Sequence, residues 1–186
     1  MVVYIFRGEY KGKSEALLRR AIGMYAEEKQ CFSNINLNNL PLKRTENGKP
    51  YLEGRPLHFS LSHTGMLWGC LISSQEVGID IQEKRNVNFD KLADRFFLDE
   101  EIQFVRNHGI DGFFDIWVHK EACMKYYGTG LRDVKSFCVV GHGKLAERIN
   151  YKDSMCFISA FELEADVKCA YCYGMEGSDL WIRELN

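Results

Sequence analysis

The order of apolar patterns along the 186 residues predicts an α+β chain in two sequential halves. A strand, a helix and further strands come first, followed by a long helical stretch and then strands again. No Gly-, Ser- or Pro-rich linker separates the halves, so they are expected to pack tightly. The length suits one substantial core or two small, closely packed ones.

VVYIF at residues 2–6 reads as the first strand. Ser14 is placed as the N-cap of a helix over residues 15–30, in which Leu17, Leu18, Ala21, Ile22 and Tyr25 recur at helical spacing. Residues 33–57 are rich in Asn, Gly, Pro and charge and are expected to be mostly loop. LHFSLS and MLWGCLISS form two strands around a turn-like break at His63-Thr64-Gly65, and VGIDI at 77–81 follows almost at once. FDKLADRFF, LDEEIQFVRNHG with Asp99 as its cap, and GFFDIWVHKEACMKYY make the helical stretch, which ends at Gly128 and Gly130. SFCVVG, MCFISAFEL, VKCAYCYG and DLWIREL return to strands.

Composition excludes some classes of function. The hydrophobic fraction of 46%, charged fraction of 27% and formal net charge of -2 are those of a globular protein without general attraction to nucleic acid or anionic membrane. An anion site must therefore be a local cluster. The apolar run of five residues at 2–6 is broken by Arg7, which suits a strand rather than a secretory segment. No later run reaches membrane-spanning length. The seven cysteines are odd in number and mostly isolated, as in a reducing compartment. The lone pair Cys169-Ala-Tyr-Cys172 sits in an apolar run and reads as core. A cytoplasmic protein is expected.

Four constellations bear on chemistry. Asp80 and Gln82 share one face of VGIDIQEKR, which is either plain solvated surface or a site for a hard cation that takes oxygen ligands. Trp117, Glu121 and Lys125 form a helical stripe at i, i+4 and i+8. That is either a surface ion pair or a carboxylate and an ammonium aimed at one site. In Phe59-Ser-Leu-Ser62-His63-Thr64-Gly65, neighbouring strand residues face opposite ways, so Ser62 and His63 do not make a nucleophile–base pair. His63 beside a glycine turn suits phosphate contact or a structural role. In the basic loop Lys43, Arg44 and Lys49, the first two read as solvated, whereas Lys49 is held between Gly48 and Pro50.

Taken in order, GKPYL, FSLSHTG, VGIDI, RFFLDEE and WVHKEACMKYYGTGL resemble the Sfp-type 4′-phosphopantetheinyl transferases over roughly residues 47–131. The resemblance implies a pseudo-twofold arrangement of two similar α+β halves, 1–75 and 76–186, the second carrying the metal and KEA motifs. It implies transfer of 4′-phosphopantetheine from coenzyme A, bound between the halves, to a serine of an apo acyl or peptidyl carrier protein, with Mg²⁺ and release of 3′,5′-ADP. Asp80 matches the metal-binding Asp of GxDxE, and Glu121 and Lys125 match WxxKEAxxK. Ser62, His63 and Lys49 match residues at coenzyme A, with Lys125 at the departing phosphate. Asp80 and Glu121 are then metal ligands, Glu121 and Lys125 the catalytic pair, and Glu121 the group that takes the serine proton, directly or through a metal-bound water.

The chain departs from the family pattern at two positions. Gln82 stands where many members carry an acid, which leaves it a weak or water-mediated ligand, and Ser60 replaces the usual Asn. Basic contacts upstream of GKP do not map cleanly; Lys13 and Arg19 are loose candidates. A non-catalytic relative that binds coenzyme A or a carrier is the rival reading, which retention of Asp80, Glu121 and Lys125 argues against. A magnesium-dependent phosphohydrolase of another fold explains the acids but not the Trp-Lys-Glu-Ala-Lys stripe or the Ser-His turn. A monomer is expected.

Overall fold

The computed structural model describes residues 1–30, 32, 36–175 and 179–186. The strands are β1 (Val2–Arg7), β2 (Leu42–Arg44), β3 (Pro50–Leu52), β4 (His58–Thr64), β5 (Leu67–Ser73), β6 (Val77–Glu83), β7 (Val140–Gly141), β8 (Lys144–Leu145), β9 (Arg148–Tyr151), β10 (Ser154–Ala160), β11 (Val167–Tyr173) and β12 (Trp181–Glu184). The helices are α1 (Ser14–Lys29), α2 (Phe89–Phe96) and α3 (Asp99–Tyr127). The chain is α+β, as the patterns predict.

Two four-stranded sheets form the frame, in the orders β12-β1-β5-β4 and β6-β11-β10-β9. Both units use one connectivity. In the first, β1 leads through α1 to β4 and β5, and β5 pairs antiparallel with both β1 and β4. In the second, β6 leads through α2 and α3 to β10 and β11, and β11 pairs antiparallel with both β6 and β10. The boundary expected at residues 75/76 falls between β5 and β6. The final strand, expected with the second half, pairs parallel with β1 and so closes the first sheet.

Strand alternation explains the layering. Val2 and Tyr4 pack with Leu18, Ile22 and other apolar residues of α1. Val3 and Ile5 face the other way and meet Val77, Ile79 and Ile81 of β6 in a cluster between the sheets. The outer face of the second sheet, including Cys156, Ile158 and Ala170, packs against α3. The order is therefore α1, first sheet, second sheet, α3. Gly78 permits the last of these contacts: a Cβ there would lie 2.0 Å from the Ala122 carbonyl oxygen and 2.5 Å from the Tyr126 nitrogen.

Several local expectations change. Ser14 opens α1 as its first residue, and its hydroxyl accepts the Trp68 indole N–H at 2.9 Å instead of capping the helix. Asp99 is likewise the first residue of α3; the Glu101 carboxylate accepts the Leu98 amide at 2.8 Å and holds that helix start. The predicted loop contains the β2–β3 hairpin, while its residues 33–35 lie outside the described ones. α3 bends at Gly109 (φ 62°) and ends on Gly128, whose positive φ of 64° suits a residue without a side chain. Among the described residues no helix is long and apolar enough to cross a membrane.

Candidate active site

The two sheets meet where β4 runs beside β6. Ser60, Ser62 and Thr64 project from one side of β4 at strand spacing, and each hydroxyl accepts one backbone N–H of β6. The partners are Ile79 at 3.1 Å, Ile81 at 3.0 Å and Glu83 at 3.0 Å. A sheet edge that would otherwise be short of acceptors is thereby closed by side chains. Ser60, the departure from the family pattern, is part of this ladder.

Ser62 also connects the ladder to the acidic centre. Its hydroxyl donates to Asp80 Oδ1 at 2.8 Å, and Lys125 Nζ donates to the same oxygen at 2.7 Å. Asp80 is buried, and its Oδ2 has no hydrogen-bond partner. Glu121 lies close enough that Asp80's charge affects its ionisation. Burial first, then Asp80, push the Glu121 carboxyl up to about 7, against the opposing pull of Lys125. Strand β6 and helix α3 thus bring Asp80, Glu121 and Lys125 together. An orphaned carboxylate oxygen beside a second, partly buried carboxyl is a donor set that fits a hard divalent cation. Gln82 is one strand repeat along from Asp80, with its Nε2 directed to Thr64 Oγ1 at 3.4 Å and the Glu83 carbonyl at 3.1 Å. It adjoins Trp117, which continues the α3 stripe.

Lys125 also lines a cleft of about 330 Å³ with Arg44, Gly48, Ser60, His63 and Thr129. Both units contribute to its walls. His63 is exposed there and pairs with the Tyr10 hydroxyl at 3.2 Å. Arg44, read as a solvated loop residue, belongs to this wall and donates to the Gly48 carbonyl at 2.9 Å. Of the loose candidates, Arg19 donates to the carbonyl of Leu40 at 2.8 Å, and Lys13 is an exposed residue before α1.

Two expected coenzyme A contacts have other commitments. Ser62 is buried, with its hydroxyl held between the Ile81 amide and Asp80, so it orients the carboxylate. Lys49 lines the cleft but turns its ammonium inward, to the Glu76 carboxylate, the Val77 carbonyl at 3.1 Å and the Tyr126 carbonyl at 3.2 Å. All three ammonium hydrogens have acceptors in that arrangement. Glu76 also binds His58 at 3.2 Å. Asn47 adds a bond to the Gly128 carbonyl at 2.8 Å, so the β2–β3 loop is tied to the end of α3.

The other lysine of the KEA motif is structural. Lys120 and Glu101 form an ion pair at 2.9 Å, with side chains 1% and 0% exposed. Lys120 also donates to the carbonyls of Val134 at 2.6 Å and Phe137 at 2.8 Å, while Glu101 receives the amides of Leu98 and Val139. The pair explains why RFFLDEE and KEA occur together; only their joint presence could have signalled it.

Residues 76–172, which span β6 to β11, match the 4′-phosphopantetheinyl transferase superfamily. The chain belongs to that superfamily. It is 30% identical over 146 residues to 4′-phosphopantetheinyl transferase Sfp of Bacillus subtilis, covering 74% of this chain and 65% of that protein. To 4′-phosphopantetheinyl transferase psf-1 of Bacillus pumilus it is 30% identical over 167 residues, 85% of this chain and 68% of that one. With 4′-phosphopantetheinyl transferase AcpT of Escherichia coli it shares 33% identity over 132 residues, 65% of this chain and 68% of that one. The matched stretch spans less than two thirds of the Bacillus subtilis relatives, 65% of one and 60% of another.

Proposed function

We propose that this chain transfers 4′-phosphopantetheine from coenzyme A to a serine hydroxyl of an apo acyl or peptidyl carrier protein. The observation that supports this most directly is the junction of Asp80, Glu121 and Lys125, with Asp80 Oδ2 buried and unpartnered and Lys125 lining a cleft walled by both units. In this reading the two units are related by a pseudo-twofold axis, and coenzyme A lies in the cleft between them.

Asp80 and Glu121 would hold Mg²⁺, which when bound offsets charge on the coenzyme A pyrophosphate. Ser62 fixes the Asp80 carboxylate through Oδ1, leaving Oδ2 for the metal. Glu121, directly or through a bound water, takes the proton of the carrier serine. The serine oxygen then attacks the phosphorus that bears pantetheine, a new P–O bond forms, and the bond to the departing 3′,5′-ADP breaks. Lys125 faces the negative charge that develops on the leaving oxygen. His63 and Arg44 supply exposed polar contacts for the phosphates along the cleft, whereas Lys49 acts as a brace.

The test is to incubate the protein with coenzyme A, Mg²⁺ and several apo carrier proteins and weigh the carriers. A serine-linked phosphopantetheine adduct is expected, reduced at least a hundredfold in rate by Glu121→Gln. Coenzyme A binding without any adduct would leave the non-catalytic relative as the reading, and coenzyme A hydrolysis alone would point to a phosphohydrolase. Full transfer by Glu121→Gln under saturating Mg²⁺ would remove Glu121 from its role.

A further inference from the structure

Three buried cysteines converge in the core of the second unit, on the far side of the sheet from the first unit. Cys123 comes from α3, Cys156 from β10 and Cys172 from β11, and each is 0% exposed. Their sulfurs all lie within 4.8 Å of one another, with Cys172 and Cys123 at 3.8 Å. Strand alternation divides the CxxC pair: Cys169 faces the cluster between the sheets, and Cys172 faces α3. The adjacent-looking pair in sequence is thus not the pair in space, and Cys172 takes its partners from segments 49 residues and 16 residues away in the chain.

We propose that Cys123, Cys156 and Cys172 form a three-sulfur site for a single soft d¹⁰ cation. Sulfur-only donors select copper(I) or zinc over hard cations such as Mg²⁺. A metal–sulfur bond of about 2.3 Å sets neighbouring ligand sulfurs roughly 3.8 Å apart in a tetrahedral shell and roughly 4.0 Å apart in a trigonal one, close to the 3.8 Å found between Cys172 and Cys123. Among the described residues no His, Asp or Glu joins this group as a fourth donor. Three-coordination favours copper(I), whereas zinc would need a further ligand. Each thiol that binds the ion releases its proton to solvent, and no electron is transferred. The site would pin α3 to the second sheet beside Glu121 and Lys125. It is independent of the proposed transferase reaction.

The experiment uses the full chain, reduced and refolded under argon with either copper(I) as its acetonitrile complex or Zn²⁺, then desalted. One equivalent of ion per chain is expected to remain by elemental analysis, and the melting temperature is expected to rise. X-ray absorption at the metal edge of the wild-type protein should give three sulfur neighbours at about 2.3 Å. That measurement does not depend on any variant folding. Cys123→Ala, Cys156→Ala and Cys172→Ala should each lose the ion, while Cys138→Ala retains it. Copper retention without zinc retention assigns copper(I); the reverse assigns zinc with an added ligand. No retained ion, retention by a variant with all three cysteines changed to alanine, or a metal shell of oxygen or nitrogen without sulfur would overturn the site and leave three thiols packed as core residues. A protein two hydrogens lighter that takes up neither ion would overturn it in favour of a disulfide.

Discussion

Replacing Lys49 with methionine separates two roles for the lysine of GKP. The substitution keeps most of the apolar stem and removes the ammonium. It breaks the pair with Glu76 and leaves the carbonyls of Val77 and Tyr126 without that donor. Fully buried pairs lose about 3–5 kcal/mol when one partner is removed, and exposed pairs contribute under about 1 kcal/mol. The Lys49 side chain is 14% exposed and that of Glu76 34%, and Glu76 keeps His58, so a loss of about 2–3 kcal/mol is expected. In a chain of this size that lowers the melting temperature by roughly 4–12 °C. Urea unfolding followed by circular dichroism measures the loss, and titration calorimetry measures coenzyme A affinity on the same sample. Glu76→Gln in the Lys49→Met background should cost much less than in the wild type, because the ion pair it would break is already gone. The acid limb gives an independent check. Burial raises the Glu76 carboxyl, but His58 and Lys49 outweigh it and bring it down from 4.5 to about 2. A depressed carboxyl contributes stability that is present above about 4.5 and lost as pH falls towards 2. The wild type should therefore lose stability across that window more steeply than Lys49→Met. Unchanged stability together with a tenfold or greater loss of coenzyme A affinity would refute the brace and make Lys49 a phosphate contact.

Three further outcomes follow from the same geometry. Glu121 must lose its proton to bind a cation, so Mg²⁺ affinity should rise through pH 7 and be about tenfold weaker at pH 6 than at its plateau; equal dissociation constants by calorimetry at pH 6 and 8 would remove Glu121 from the metal shell. In the metal-free protein the sign for stability is opposite: the raised carboxyl favours the fold below about 4.5, and that contribution disappears as pH rises through about 7. Gln82→Glu should lower the Mg²⁺ concentration needed for half-maximal transfer, and an unchanged requirement would put Gln82 outside the metal shell. Lys120→Met should cost about 3–5 kcal/mol in urea unfolding, since it strands Glu101 in the core; a loss under about 1 kcal/mol would mean that Glu101 is kept by its two backbone amides alone.

Elements with one dominant period were legible before any coordinates. Leu17, Leu18, Ala21, Ile22 and Tyr25 fall on the buried side of α1, and VGIDI alternates as a strand should. What escaped local reading was the choice of partner. Ser14 has the chemistry of a cap, yet a tryptophan 54 residues away takes its hydroxyl. Lys49 has the chemistry of a phosphate contact, yet Glu76 and two carbonyls from distant segments take its ammonium. DLWIREL reads correctly as a strand, but nothing in its letters assigns it to β1 rather than to its neighbour in sequence.

Ser62 shows how far one side chain can depend on both units. Its place in Ser60-x-Ser62-x-Thr64 is readable as one face of a strand, and the resemblance puts it near the phosphates. Only the meeting of β4 with β6 reveals that the same hydroxyl both accepts from the sheet edge and donates to Asp80. The orientation of Asp80 is therefore set by a residue of the first unit, and its charge is answered by Lys125 of the second. A cation held at Oδ2 would be sensitive to any shift between the sheets. That dependence gives a physical reason for placing the acidic centre on β6, the strand where the units join.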